Sequence, residues 1–178
     1  MIERSYVPVC SIEKMLIKYN YTKGDKRKIE FIVIHDTGNP ARGANALMHY
    51  QYFNATNRNA SAHYFVDDKR IIQTVEDVDI AWHCGDTQTP PLIGGSRPKN
   101  ANSIGIEICI NEDGDYFKAL QNTIELTKFL MQKYGIPPER VIRHYDVSGK
   151  ICPQSMSGFN GKNYTWVVWK WFKNQLTK

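Results

Sequence analysis

The chain has 178 residues, of which 42% are hydrophobic, and this is typical of one globular domain with a sizeable core. Its 23 lysines and arginines outnumber its 18 aspartates and glutamates. The net charge of +5 favours a polyanionic partner, either a nucleic acid or an anionic cell wall, and the alternative is simply a soluble basic surface. No apolar run approaches the roughly 20 residues that span a bilayer, so we expect no membrane insertion. Since no repeat, low-complexity tract or linker is visible, a single domain over residues 1–178 is expected.

The N-terminal region and the cysteines indicate a chain made in a reducing compartment. Residues 1–6 contain no apolar signal core, so we expect synthesis in the cytoplasm without a secretory signal peptide. Residues 1–28 are expected to form an extension, with a short helical or extended surface piece at 11–17 and a solvated charged turn at 23–28. No two cysteines form a C-x-x-C pair, which favours reduced thiols or a metal ligand over a disulfide framework. The cysteines are Cys10, Cys84, Cys109 and Cys152.

The first strong strand signal is the apolar run at residues 31–35, which is typical of a buried central strand. A polar stretch with glycine and proline at 36–40 ends this strand. His35 is therefore expected at its C-terminal end, where α/β sheets commonly carry their sites. A histidine in this position is either a hydrogen-bonded core residue or a functional ligand.

A helix and a hairpin are predicted next. Residues 44–53 contain an approximate helical stripe of apolar side chains, and His49 lies one position off that stripe. We therefore expect His49 at the surface rather than as a ligand. Strands are predicted at 62–66 and 70–75, joined by a turn at 67–69.

A long polar stretch, rich in proline and glycine, follows Trp82 and His83. Loops of this length in compact domains are usually functional or mobile, so we expect the segment from Asp86 to Asn102 to wall a substrate cleft. Trp82 is either the floor of that cleft or a core residue. His83 either contacts substrate or makes a local hydrogen bond.

Residues 103–110 have the clearest strand pattern, with isoleucines at alternate positions on one face. Gly105, Glu107 and Cys109 fall on the other face. A carboxylate in the middle of such a strand is costly unless it is paired or faces a polar cleft. Glu107 is therefore a candidate functional residue, with a structural ion pair as the alternative.

Two helices are predicted in the C-terminal half. Residues 115–134 are amphipathic, Gly135 fits a C-terminal cap, and the prolines at 137–138 forbid continuation. Residues 164–176 are strongly apolar, so this last helix is expected to pack on the sheet. A membrane or partner role is the weaker alternative.

Between these helices, a histidine and a cysteine form a metal-ligand pattern. His144 and Cys152 are eight residues apart, and Lys150 lies two residues before the cysteine. A short strand before His144 would deliver it to a sheet end, and the turn residues at 148–149 would let the chain bend back. Imidazole nitrogen and thiolate sulfur are ordinary zinc ligands, and a catalytic zinc site takes three protein ligands. The third must come from elsewhere in the chain, and His35 is the best candidate.

Taken together, these motifs resemble the zinc-dependent N-acetylmuramoyl-L-alanine amidases, the type-2 amidases related to phage amidases and peptidoglycan recognition proteins. The matching blocks begin at about residue 29, and they are FIVIHDT (31–37), SAHYFVD (61–67), AWH (81–83), NSIGIE (102–107), RH (143–144) and KICP (150–153). The resemblance implies an α/β fold with a central mixed β-sheet flanked by helices and one zinc ion in a surface groove. It also implies hydrolysis of the amide bond between N-acetylmuramic acid and L-alanine in bacterial peptidoglycan.

The resemblance assigns roles to residues of this chain. Glu107 matches the glutamate that several bacterial and phage members use as general base. Some relatives carry a catalytic tyrosine just before the residue that matches His63, whereas this chain has Ala62, so Glu107 would carry more of the proton transfer. The resemblance implies His35, His144 and Cys152 as zinc ligands, and Glu107 and Lys150 as catalytic residues. We expect the substrate-binding residues to be His63, Trp82 and His83.

Two other functions compete with the hydrolase. Non-catalytic peptidoglycan-binding relatives on the same fold typically lack the cysteine ligand, whereas Cys152 is present here. A nucleic-acid-binding domain is suggested only by the charge, and no helix-turn-helix or zinc-finger spacing supports it. We therefore expect peptidoglycan as partner, no nucleic acid and a monomeric state. An endolysin or autolysin catalytic domain, released on lysis or by a non-classical route, fits these expectations.

Overall fold

The structure is a computed structural model that describes residues 11–85 and 87–178. Residues 1–10, with Cys10, lie outside the described residues, as does Asp86 at the start of the predicted cleft segment. In the described part of the chain, no helix is both long enough and apolar enough to cross a membrane.

A six-stranded mixed sheet forms the centre of the fold, which confirms the expected α/β class. Its strands, in spatial order, are β1 (Ile12–Lys14), β5 (Ile71–Gln73), β4 (Tyr64–Val66), β7 (Ser103–Ile108), β3 (Phe31–Asp36) and β8 (Val141–Arg143). Neighbouring strands are parallel except β4 and β5, which form the predicted hairpin. A separate antiparallel pair joins β2 (Tyr21–Thr22) to β6 (Ile80–Ala81).

Helices cover both faces of the sheet. The helices α2 (Tyr116–Tyr134) and α4 (Val167–Gln175) pack with the alternate isoleucines of β7, as the strand pattern predicts. The helix α1 (Ala46–Phe53) packs on the opposite face, against β4. The ends of α2 follow local signals, because Asp115 caps its first turn and Gly135 takes the left-handed conformation that ends it.

Two predicted boundaries shift in the structure. β7 ends at Ile108 rather than at residue 110, because its neighbour β4 ends at Val66, the residue paired with Ile108. α4 begins at Val167 rather than at residue 164, because Trp166 has a φ of 53° that is incompatible with a right-handed helix. Both limits depend on neighbouring backbone, which a local pattern does not contain.

The described part of the N-terminal region joins the fold, and the piece expected at 11–17 takes the extended of its two predicted forms. β1 pairs in parallel with β5 at the edge of the central sheet. Arg27, which was expected in a solvated turn, is partly buried and donates hydrogen bonds to three backbone carbonyls. These carbonyls belong to Asp77, Asn100 and Ser103, so the arginine ties the N-terminal region to the segments around β6 and β7.

Replacing Arg27 by leucine should lower the free energy of unfolding by about 2–4 kcal/mol, because three carbonyls lose a charge-assisted donor. Denaturant titration followed by circular dichroism measures this change. Lys28→Leu is the matched control, since the Lys28 side chain is 83% exposed. We expect that variant to change stability by no more than about 0.5 kcal/mol. Equal stability of the two variants would contradict the proposed contribution of Arg27.

Candidate active site and metal cluster

Three metal-ligand side chains meet at the carboxyl ends of two neighbouring strands. β3 and β8 are parallel and pair Ile34 with Arg143, so the next residues, His35 and His144, lie at the same edge of the sheet. Cys152 completes the cluster, and the three ligand atoms lie within 4.8 Å of one another. All three residues are buried. The structure therefore brings together the residues that the sequence singled out as ligands.

A short helix returns the chain to the cluster. This helix, α3 (His144–Ser148), ends at Gly149, whose φ of 81° reverses the chain direction. The Tyr145 amide then donates a 3.0 Å hydrogen bond to the Cys152 carbonyl, which closes the loop. The predicted bend is thus a helix end rather than a simple turn.

Glu107 lies beside the cluster because of the register of the sheet. β3 and β7 pair His35 with Glu107, and the Glu107 Oε1 atom lies 3.9 Å from His35 Nδ1. Burial, together with the charge of Asp36, raises the pKa of Glu107 to about 8, while the charge of Lys150 opposes this shift. A carboxyl group with a pKa near neutrality suits proton transfer in acid–base catalysis.

Lys150 is exposed on the loop that leads to Cys152. Its positive charge lowers the pKa of His35, of Glu107 and of Cys152, so it lies within electrostatic reach of all three. Burial, and then the charge of Glu107, nevertheless raises the pKa of the Cys152 thiol to about 12. A cation bound between these side chains would favour the thiolate form.

The donor set fits a zinc ion. In tetrahedral zinc sites the metal lies about 2.0–2.1 Å from imidazole nitrogen and about 2.3 Å from sulfur, which separates nitrogen and sulfur by about 3.6 Å. The His35 Nδ1 and Cys152 Sγ atoms are 3.7 Å apart. Burial lowers the pKa of His35 well below its usual value, so this imidazole is neutral, as a ligand must be. Two imidazoles and one thiolate would leave a fourth position for water or substrate.

His83 lies directly against His35. Its Nδ1 atom is 3.0 Å from the His35 Nε2 atom, and its own Nε2 atom is 3.2 Å from the Ser103 hydroxyl oxygen. Both ring nitrogens therefore have protein partners. Of the two roles left open by the sequence, this geometry favours local hydrogen bonding over substrate contact.

His63 is fully buried, at 0% exposure, and does not fit its expected role in substrate binding. Its Nδ1 atom accepts a 3.0 Å hydrogen bond from the Gly105 amide, and its Nε2 atom lies 3.0 Å from the Arg27 Nη2 atom and 3.3 Å from the Asp79 carbonyl oxygen. Burial, and then the charge of Arg27, lowers the pKa of His63 to about 3, which keeps the ring neutral. With both nitrogens engaged, His63 supports the backbone of β7 from inside the fold.

Trp82 is half-buried, and its indole Nε1 donates a 2.9 Å hydrogen bond to the Thr22 hydroxyl. Together with Gly85 and Asn100 it lines an open cavity, and none of the three cluster residues lines that cavity. Substrate binding by Trp82 and by the segment that follows it stays a prediction.

A cavity of about 250 Å³ opens beside Glu107, and sequence reasoning did not anticipate it. Its other walls include Thr37, Met48, His49, Tyr52 and Phe65. His49 was expected at the surface, but it is 8% exposed because its ring stacks on Phe65 with centroids 5.3 Å apart. Only Thr37 could have been linked to this cavity from the sequence, because it lies two residues after the candidate ligand His35.

Known proteins share this sequence pattern. A profile of the N-acetylmuramoyl-L-alanine amidase family matches residues 25–155. The N-acetylmuramoyl-L-alanine amidase CwlH of Bacillus subtilis is 40% identical over 126 residues, which cover 71% of this chain and 48% of CwlH. The chain spans about half the length, or less, of the first curated relatives it matches.

Solved structures share the fold. The catalytic domain of XlyA superposes with a TM-score of 0.78 at 33% identity and covers 93% of this chain and 99% of that domain. A mutant endolysin from Bacillus subtilis superposes with a TM-score of 0.79 at 34% identity and covers 94% of this chain and 99% of its own. Because the family profile matches well over half of its residues, this chain belongs to the N-acetylmuramoyl-L-alanine amidase family.

Proposed function

We propose that this chain is a zinc-dependent hydrolase that cleaves the amide bond between N-acetylmuramic acid and L-alanine in bacterial peptidoglycan. The observation that carries the proposal is the cluster of His35, His144 and Cys152 with Glu107 at its side, in a chain of the amidase family. The relatives CwlH and XlyA are named as N-acetylmuramoyl-L-alanine amidases. Since the chain corresponds to only part of each, their activity enters here as a proposal.

The proposed mechanism divides the work among three parts of the site. A bound zinc ion would supply a water molecule of lowered pKa and a Lewis acid for the amide carbonyl. Glu107 would take a proton from the attacking water and return it to the leaving nitrogen of L-alanine. Lys150 would hold its ammonium near the developing oxyanion. Where some relatives carry a catalytic tyrosine this chain has Ala62, which has no proton to transfer, so Glu107 would carry that step.

The cavity beside Glu107 is the proposed binding site for the substrate around the scissile bond. Tyr52 and Phe65 give it aromatic walls, which suit the methyl groups and the sugar face of a muramoyl-alanine unit. The Thr37 hydroxyl, which has no hydrogen-bond partner among the described residues, is available for an amide of the stem peptide.

Digestion of purified peptidoglycan tests the proposal. We expect free stem peptides that begin with L-alanine, while the glycan strands stay long and show no new reducing ends. Chelation should stop the release and added zinc should restore it, because the ligands hold the metal reversibly. Mass spectrometry of the soluble products, with a reducing-end assay on the same digest, measures both outcomes.

Two results of that digest would contradict the proposal. Shortened glycans would indicate a muramidase, an enzyme class that needs two carboxylates about 5–9.5 Å apart across the bond. Asp36 does not supply the second carboxylate. It follows His35 on β3, so its side chain lies on the opposite face of the sheet, and it accepts a hydrogen bond from the Ser155 amide. Binding to cell walls without any cleavage would instead indicate a non-catalytic peptidoglycan-binding module.

The proposed setting follows from the substrate. We propose that the chain acts on the bacterial cell wall as the catalytic part of an endolysin or autolysin. Its net charge of +5 supports this role, since anionic wall polymers attract a basic protein.

A further inference from the structure

We propose that His83 is a positioning residue: it holds His35 in the orientation and the tautomer that a metal ligand needs, through a one-way chain of hydrogen bonds that ends at a backbone carbonyl. The inference deepens the proposed function, since it concerns the same metal cluster. Of the two roles that the sequence left open for His83, the inference develops the local hydrogen bond and not the substrate contact.

The chain of contacts runs from the cluster to the segment before β7. The His35 Nε2 atom lies 3.0 Å from His83 Nδ1, and the His83 Nε2 atom lies 3.2 Å from Ser103 Oγ. The Ser103 hydroxyl donates a 2.6 Å hydrogen bond to the Lys99 carbonyl. Each link is within hydrogen-bonding distance, and the three links join two rings and one hydroxyl in series.

The far end of the chain sets its direction. The Lys99 carbonyl can only accept, so the single hydroxyl proton of Ser103 is used there. Ser103 Oγ must then accept from His83, which places the His83 proton on Nε2 and leaves Nδ1 as an acceptor. His35 therefore donates from Nε2, and its Nδ1 lone pair is left facing Cys152 Sγ at 3.7 Å.

Two further contacts, one with Asn100 and one with Gly105, fix the position of the His83 ring. The amides of His83 and Cys84 both donate to the Asn100 Oδ1 atom, which fixes the backbone. Gly105 leaves the space for the ring, because a Cβ at that position would lie 2.5 Å from the His83 Cγ atom. The rings of His35 and His83 meet at 87° with centroids 5.2 Å apart. Each contact orients His83 towards His35.

Zinc affinity tests the positioning role without any measurement of activity. His83→Leu removes the acceptor for His35 but keeps an apolar side chain in place, and we expect it to weaken zinc binding by about 10–100-fold. His83→Asn keeps an oxygen acceptor near the Nδ1 position and should recover most of the affinity. Competition with a chromophoric chelator gives the dissociation constants, and melting curves of the metal-free proteins check that both variants fold.

Two outcomes of this comparison would overturn the inference. Unchanged zinc affinity in His83→Leu, with a raised KM on peptidoglycan, would restore the role of substrate contact. Equal loss in the leucine and asparagine variants would show that the acceptor is not what matters. If the unsubstituted protein bound no zinc, the proposed metal site itself would be contradicted. The tautomer measurement would then still decide whether the series of hydrogen bonds from His35 to Lys99 exists.

Nitrogen NMR of the imidazole rings makes that decision. Long-range ¹H–¹⁵N correlations in the metal-free chain should show His35 and His83 both protonated on Nε2. Ser103→Ala should release the His83 proton and give mixed tautomers. Cys84→Ala is the control. It removes a buried thiol that lies 3.7 Å from the Ser103 hydroxyl but is not a link between His35 and the Lys99 carbonyl, so both tautomers should stay unchanged. A His83 ring protonated on Nδ1 in the unsubstituted chain would overturn the inference.

Discussion

Replacing Glu107 by glutamine should lower the turnover of peptidoglycan by about 10²–10⁴-fold while zinc stays bound. Glutamine has nearly the shape of glutamate but cannot take a proton, so only the proton transfer is lost. The side chains whose ligand atoms cluster are His35, His144 and Cys152 and do not include Glu107, so the metal content should not change. Steady-state release of stem peptides and metal analysis of the same sample measure the two effects.

Glu112→Gln is the matched control for that substitution. The Glu112 side chain is 59% exposed and lies in an ion pair with Arg42 at 3.7 Å, so its loss should leave turnover and metal content unchanged. Near-normal turnover of Glu107→Gln with zinc still bound would show that another group is the general base.

Replacing Cys152 by serine should remove most of the zinc and most of the activity while the fold stays intact. Serine has no thiolate to offer, and we expect zinc affinity to fall by more than the roughly 10–100-fold seen when a residue that only supports a ligand is changed. The core should hold without the metal, because a chain of this size buries enough apolar surface. Metal analysis, the digestion assay and thermal melting test the three parts of this expectation.

Cys109→Ser is the control for the chemical change itself. Cys109 is as deeply buried as Cys152, but it packs in the apolar cluster between α1 and the sheet. Its replacement should lower stability and leave the zinc content unchanged. A Cys152→Ser protein that purified without metal and remained fully active would contradict the metal site.

The ligand positions were predictable because they depend on local signals and one rule of sheet topology. His35 and His144 each follow a short predicted strand, so both were expected at strand ends, and parallel strands bring their carboxyl ends to one edge. Glu107 stood out as a carboxylate in a strand of isoleucines. The register that pairs it with His35 was not accessible from the pattern, because it depends on which strands become neighbours.

The residues that sequence reasoning placed wrongly have surroundings built by distant segments. His49 looks like a surface residue on its own helix and is buried only because Phe65 of β4 lies against it. Arg27 looks like part of a charged turn and is drawn inward by carbonyls about 50 to 76 residues away. His63 carries a family motif, and nothing in that motif distinguishes a ring that touches substrate from one that supports β7.

The strand β1 also protects the folded protein against aggregation through the edge of its sheet. It covers the outer edge of β5, and beyond it the amides of Met15 and Ile17 continue the pairing with the carbonyls of Gln73 and Thr74. An uncovered strand edge presents unpaired backbone groups on which other chains can add. The family match begins at residue 25, after this strand. A chain that began at residue 25 would keep every proposed catalytic group and expose β5 as a template for aggregation.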